Sequence, residues 1–240
     1  MRGDIYYAQS RASAAAVVLV WTAAVFAALI GILIGMSTTP GLAGVPLIFF
    51  GLGVFFRVQV YRLTLRGQPW LWPLPGVRDA HLGHACDGSF GFRRKHEIHT
   101  GVDIYCEVGQ EVCAVADGRV LLVTDFTGEK AGSPWWNPTS AVLVEHDGRV
   151  VVYGELAPLV RNDDAVRRGQ VLGKVLRVRK EDDGTKPMTM LHLELWASVE
   201  DAVQRYTGAN ATVANDWPLD GKWPKGLLDP TPYLKEAEVS

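Results

Sequence analysis

Hydrophobic residues are patterned differently in the two parts of the chain. Up to Tyr61 they form long apolar runs, and from Phe90 onward they alternate with polar residues over short stretches. The first run, Ala12 to Met36, is uncharged over about 25 residues and would extend ~37 Å as a helix, against a hydrocarbon core of roughly 30 Å. That predicts a transmembrane helix. A cleaved signal peptide is the competing reading, but its apolar core would cover roughly 7 to 15 residues. STTPGLAG, at 37–44, breaks the run with proline and glycine. VPLIFFGLGVFF, from Val45 to Phe56, spans a bilayer if Gly41 to Gly44 and Val58 to Tyr61 are drawn in, with Arg57 snorkelling to the interface. Residues 1–66 are therefore expected to form a membrane anchor of two helices.

The rest of the chain has the period of strands. In MLHLELW, at 190–196, strict alternation sends Leu191, Leu193 and Leu195 into a core and Met190, His192, Glu194 and Trp196 onto the opposite face. LVEHDGRVVVYG places Asp147-Gly148 between two β-branched runs, the strongest short-range hairpin signal. VDIYC and VCAV flank a turn at Gly109, and DAVRRGQVLGKV reads as another short pair of strands. The expectation is an antiparallel β domain with few helices over 88–240. It follows a Pro- and Trp-rich linker at 67–87, where Trp70 and Trp72 either anchor at headgroup level or belong to an ordinary loop packed on the domain. Two long insertions interrupt the strands. GEKAGSPWWNPTSA, with Trp135 and Trp136, reads as a wall of a substrate groove or a packed Ω-loop. RVRKEDDGTKPMTM, at 177–190, reads as a solvated charge run.

Charge decides orientation and excludes one class of partner. A net charge of -2 gives no basis for nucleic-acid binding. Arg2, Arg11, Arg57, Arg62 and Arg66 flank the two apolar runs, while the loop between them has no Lys or Arg. The positive-inside bias places both ends, and so the large domain, in the cytoplasm of a multi-pass membrane protein. If the second run lies in the interface instead, the domain faces outward. Three cysteines, Cys86, Cys106 and Cys113, suggest neither a disulfide framework nor a thiolate metal site. They read as free thiols, with a Cys106–Cys113 disulfide open if the two face one another across a hairpin on an oxidising side.

Candidate chemistry lies in HTGVDIYC, at 99–106, read with MLHLELW. A straight strand would hold His99 and Asp103 roughly 13 Å apart, so they can share one ion only if the chain bends, and Gly101 permits a bend. Two ligands from that segment and His192 from a distant strand would make a three-ligand zinc site with an open, catalytic position. A lone His-x-x-x-Asp is a weak signal, more often a surface or turn pair. The surrounding text strengthens it: FGFRRKHEIHTGVDIYCEVGQEVCAVADGRVLLV, then AVLVEHDGRVVVYGEL, RRGQVLGKV, MLHLEL and DPTPYL.

In that order, over about 88–234, these segments resemble the lysostaphin-type zinc endopeptidases. That family runs Gly-x-Arg, His-x-Gly-x-Asp, a glycine turn, an Ala-x-x-x-Gly-x-Val strand and a His-x-His strand. The resemblance implies an antiparallel β-sheet peptidase-like domain, Zn2+ as cofactor, His99, Asp103 and His192 as its ligands, and a peptide-like, peptidoglycan-type substrate. It also sits awkwardly with a cytoplasmic domain, because the family usually acts on wall peptides outside the cell. Two positions depart from the pattern. The family has a histidine in Tyr-x-His-Leu and another at the start of His-x-His, where this chain has Glu155 and Met190. His146 lies where the family often has a histidine, and His81, His84 and His96 fall in polar loops, His96 being the nearest in sequence to stand in for a missing partner.

Amide hydrolysis at such a site needs a group to take a proton from water and give it to the leaving nitrogen. Along VVVYGEL, alternation puts Val151, Tyr153 and Glu155 on one face, which makes Glu155 the candidate base. It competes with two other roles for Glu155, a hydrogen-bond partner of a ligand imidazole and a plain surface residue. The expected function is a membrane-anchored zinc hydrolase of peptide or amide bonds, held in the lipid bilayer. The alternative is an inactive, metallopeptidase-like binding or regulatory module.

Overall fold

The computed structural model describes residues 69–77, 82, 85–95, 98–182, 184, 187, 189–207 and 223–239. The chain divides into two units, Met1–Gly67 and Gln68–Ser240, and every described residue lies in the second. The two expected membrane spans, and His81, His84 and His96, lie outside the described residues. Among the described residues no helix is long and apolar enough to cross a membrane.

The second unit is built on strands β1 (Val102–Tyr105), β2 (Glu111–Cys113), β3 (Gly118–Thr127), β4 (Thr139–His146), β5 (Arg149–Pro158), β6 (Ala165–Val166), β7 (Val171–Val175), β8 (Met190–Trp196) and β9 (Leu227–Leu228). Among the described residues two helices accompany them, α1 (Val199–Thr207) and α2 (Thr231–Lys235). The sheet runs β1-β8-β5-β4-β3-β6, with β7 joining β2 to β5 and β9 paired to β8. Every strand ladder is antiparallel.

Alternation explains most of this. Leu191, Leu193 and Leu195 of β8 join Val151 and Tyr153 of β5 in the main core, while Trp196, Val150, Val152 and Phe126 pack on the other face. That second face is closed by α1 through Ala202 and Tyr206, so the side of β8 that carries His192 is buried as well. At the β4–β5 turn Asp147 has φ 51° and Gly148 φ 84°, with His146 paired to Arg149. Both central residues are left-handed, as the tight hairpin requires.

Three expectations change. VDIYC and VCAV do not pair across Gly109: β1 pairs with β8 and β2 with β7, so Cys106 and Cys113 do not face one another. All three cysteines are free. The alternation of VVVYGEL also stops short of Glu155. Val142 pairs with Tyr153 but Ser140 pairs with Leu156, so β5 carries one extra residue, and Leu156, not Glu155, follows Tyr153 into the core. Lastly, of the two readings of the Pro/Trp-rich stretch, its described residues 69–77 adopt the packed one. Leu74 is fully buried and Trp72 is 6% exposed, the Trp72 backbone N–H donates to the Glu238 backbone O at 2.7 Å, and Trp70 stacks on Tyr233 at 5.0 Å. Trp72, committed to the core, cannot anchor in headgroups, whereas Trp70 is half-buried.

Candidate metal centre

Sheet register assembles the site. Asp103 of β1 pairs with His192 of β8, and His192 pairs with Gly154 of β5, so three neighbouring strands place these residues in one row on one face. Gly154 leaves space in that row for Phe126, whose ring a Cβ would meet at 2.7 Å and whose centroid lies 5.3 Å from that of His192. The chain bends just before β1, and this returns His99 to the row. Gly101 serves the bend through close approach: a Cβ there would lie 2.6 Å from Leu193 O and 2.7 Å from His192 Nε2.

The expected trio therefore meets. His99 Nε2 lies 3.0 Å from Asp103 Oδ1 and 3.1 Å from His192 Nδ1, and His192 Nδ1 lies 2.9 Å from Asp103 Oδ1. His99, Asp103 and His192 are 0%, 5% and 1% exposed. Tetrahedral zinc with bonds of about 2.0–2.2 Å has ligand-to-ligand edges of about 3.3 Å, so the triangle needs to open by only a few tenths of an ångström to hold it.

The outer contacts fix which atoms face inward. The other nitrogen of His99, Nδ1, is 3.0 Å from Ser89 O, a pure acceptor, so Nδ1–H donates and Nε2 offers its lone pair. His192 Nε2 is 3.3 Å from Glu194 Oε1, so Nε2–H donates and Nδ1 faces the trio. Glu194 is itself held by Thr100 Oγ1 at 2.6 Å, Trp196 Nε1 at 2.9 Å and Tyr206 Oη at 2.8 Å. Asp103 Oδ2 accepts from Arg94 Nη2 at 2.6 Å, and Arg94 is anchored on Asp87 O through Nε and Nη2. Two lone pairs and a carboxylate oxygen converging at about 3 Å repel unless a cation or a proton sits among them.

Without metal, a proton fills that role. Burial works against a charged His192, but the Asp103 and Glu194 carboxylates beside it prevail and raise its pKa to about 10. For Asp103, desolvation opposes ionisation, yet the two histidines hold its carboxyl well below the usual range. Burial lowers the pKa of His99, which stays neutral. The metal-free corner is thus a His192–Asp103 ion pair with a neutral imidazole against it.

The sequence profile of peptidase family M23 matches residues 97–204, a span that contains His99, Asp103, Glu155 and His192. The chain carries an M23 peptidase domain. Among solved structures, this chain is similar to cbpa from L. salivarius REN, at 20% identity over 70% of this chain and 95% of that one, with a TM-score of 0.40. It is also similar to Csd3 from Helicobacter pylori, at 17% identity over 68% of this chain, TM-score 0.36, spanning 35% of that protein's length. The catalytic domain of the antimicrobial peptidase lysostaphin from Staphylococcus simulans aligns at 19% identity over 70% of this chain and 90% of its own, with a TM-score of 0.36. Among curated proteins nothing matches. The assignment rests on the family match, and the corner adds three side chains, His99, Asp103 and His192, that could hold a metal ion.

Glu155 reaches the corner by a route that alternation does not describe. It is the extra residue of the β5 bulge, with φ 68°, an uncommon conformation for any residue but glycine. The residue is 4% exposed, and its Oε2 is buried with no hydrogen-bond partner. Burial first, and the Asp103 charge second, push its carboxyl up to about 8, with His192 and Arg94 pulling the other way. Met190, at the other departure from the family pattern, starts β8 opposite Tyr105 and offers no proton. Sequence reading missed Arg94 and Tyr206. Arg94 stands in the quoted FGFRRKH text, but nothing there says that the second arginine rather than the first reaches Asp103. No local pattern points from Tyr206 to Glu194.

Proposed function

We propose that this M23 domain hydrolyses a peptide or amide bond in a zinc-dependent reaction, with His99, Asp103 and His192 holding the metal and Glu155 moving the proton. The observation that carries this reading is an ionisable side chain, buried, left with an unpaired oxygen, and placed within electrostatic reach of Asp103 and His192. An orphaned polar atom of that kind costs stability unless a ligand or a reacting group meets it. Bound zinc would supply Lewis acidity, which polarises a carbonyl and acidifies water. Glu155 would accept a proton at Oε2 and return it to the leaving nitrogen, while Arg94 and Glu194 keep Asp103 and His192 in place. A dication nearby favours the ionised form of Glu155, the form a base needs.

The test is turnover of a peptide library, peptidoglycan-type peptides included, with and without a chelator, for wild type and Glu155→Gln. The expected result is chelator-sensitive cleavage that falls roughly 10²- to 10⁴-fold in the variant while zinc stays bound. A variant that loses zinc would make Glu155 a holder of a ligand, and one that keeps both zinc and rate would remove it from catalysis. Met190 favours a second reading, a binding or regulatory module that keeps the metal without turnover. Zinc-loaded wild type that cleaves nothing would support that module.

The anchor belongs to the same proposal. The arginine asymmetry around the uncharged loop supports two spans with both ends cytoplasmic, so a reporter active only outside the cytoplasm should stay silent when fused at Ser240. A strong signal would place the domain outside, within reach of wall peptides.

A further inference from the structure

Glu194 is fully buried, and each of its carboxylate oxygens meets two donors. Oε1 takes Thr100 Oγ1 at 2.6 Å and His192 Nε2 at 3.3 Å, and Oε2 takes Trp196 Nε1 at 2.9 Å and Tyr206 Oη at 2.8 Å. The contact that orients the metal-side histidine is the longest of the four. A hydrogen bond that long is weak by itself and depends on the acceptor being held still by the other three.

Those three donors differ in where they come from. Thr100 follows His99 directly and Trp196 shares β8 with His192, so both move with the ligands they serve. Tyr206 comes from α1, an element that carries no ligand. Its ring also stacks with Phe126 at 6.4 Å, and Phe126 packs against the His192 ring at 5.3 Å. Two paths therefore run from Tyr206 to His192, one through the hydroxyl and Glu194, the other through ring packing.

We infer that Tyr206 is a positioning residue for the metal ligand His192: its hydroxyl fixes the Glu194 carboxylate, Glu194 fixes the imidazole with Nδ1 turned inward, and zinc affinity depends on that hydroxyl. The inference rests on the zinc reading proposed above and concerns affinity, not turnover. Outer-sphere partners of metal-binding histidines alter metal affinity by about 10- to 100-fold. Tyr206→Phe keeps the ring and removes the hydroxyl, so only the first path is cut.

The experiment is competition for zinc between a chromophoric chelator and the full chain, as wild type, Tyr206→Phe, Glu194→Gln and Ala202→Gly, with thermal midpoints of the metal-free proteins recorded alongside. Ala202 is a buried residue of the same helix, packed in one cluster with Phe126 and Tyr206 and without a polar side-chain atom, so its glycine variant loosens α1 and its packing while leaving the Tyr206 hydroxyl in place. Tyr206→Phe should bind zinc about 10-fold more weakly, Glu194→Gln toward 100-fold, and Ala202→Gly as wild type despite a lower midpoint. Wild-type affinity in Tyr206→Phe would overturn the inference, as would an equal loss in Ala202→Gly, since helix docking rather than the hydroxyl would then be responsible. Failure of the wild type itself to take zinc would overturn the zinc reading, a result distinguishable from both.

Discussion

Two buried histidine corners in this domain use the same residue type to opposite ends. At His146 every polar atom has one complementary partner: Nδ1–H donates to Asp117 O at 3.0 Å, the Tyr153 hydroxyl donates to Nε2 at 3.1 Å, and the Val115 N–H donates to the Tyr153 oxygen at 3.0 Å. The chain of donors runs unbroken from Val115 N–H to Asp117 O, and burial lowers the His146 pKa to about 4. At His192 the outer nitrogen is paired in the same manner, but the inner atoms of three residues point at one another and Glu155 Oε2 points at nothing. Burial of a histidine therefore says little about its role. What separates a structural histidine from a metal-site histidine is whether the hydrogen-bond inventory closes without a guest.

The sharpest way to break the comparison is to delete one histidine from each corner. His192→Ala should abolish stoichiometric zinc binding, weakening affinity by more than about 100-fold, and should remove the thermal stabilisation that added zinc gives the wild type. His146→Ala should bind zinc as wild type does, although the Tyr153 hydroxyl it strands lowers stability by roughly 1–3 kcal/mol. Metal analysis with thermal melts in the presence and absence of zinc reads both. Full zinc occupancy in His192→Ala would dissolve the distinction.

The corners also differ in what a proton does. At the candidate metal corner a proton would compete with a metal, because the neighbouring carboxylates raise the His192 pKa to about 10 and favour its protonated form in the neutral range. Each zinc bound must displace that proton, so apparent affinity should rise about 10-fold per pH unit, or ~100-fold from pH 6 to pH 8, with proton release measurable in weakly buffered solution. An affinity flat across that window would mean that the inner nitrogen is already free.

How much of this was legible in the sequence follows the range of the interactions involved. The Asp147-Gly148 hairpin and the two faces of MLHLELW are set by neighbours in the chain, and both stand as read. The bend that joins His99 to Asp103 was also readable, although Gly101 acts by admitting the His192 ring rather than by any unusual φ. Glu155 shows where local reading fails. A single inserted residue changes the face of everything after it, and nothing in VVVYGEL marks the bulge, because Gly154 beside it looks like an ordinary strand glycine. The three thiols are free as read, but the pairing left open for Cys106 and Cys113 falls for a related reason: the segment at Gly109 resembles a hairpin, yet β1 pairs with β8 and β2 with β7, far along the chain. Arg94 on Asp103 and Tyr206 on Glu194 are side-chain contacts between separate segments, which no periodicity encodes.

The smallest effect expected belongs to the closed corner, and it has the opposite sign to that at His192. His146 must be neutral at Nε2 to accept from Tyr153, and its folded-state pKa of about 4 lies below the ordinary value of 6.5. A group depressed in this way adds stability that is present in full above about 6.5 and is lost as pH falls through about 4. By pH 5 the loss should be on the order of 2 kcal/mol, as follows from about 1.4 kcal/mol per unit of displaced pKa. Carboxylates titrate over the same range, so the informative quantity is the difference in unfolding free energy between wild type and His146→Gln. Gln can still donate to Asp117 O and accept from Tyr153 but cannot titrate. That difference should shrink steadily from pH 7 to pH 5 in metal-free protein. A difference independent of pH would mean that Tyr153 turns its hydroxyl away and that the imidazole takes up its proton unopposed.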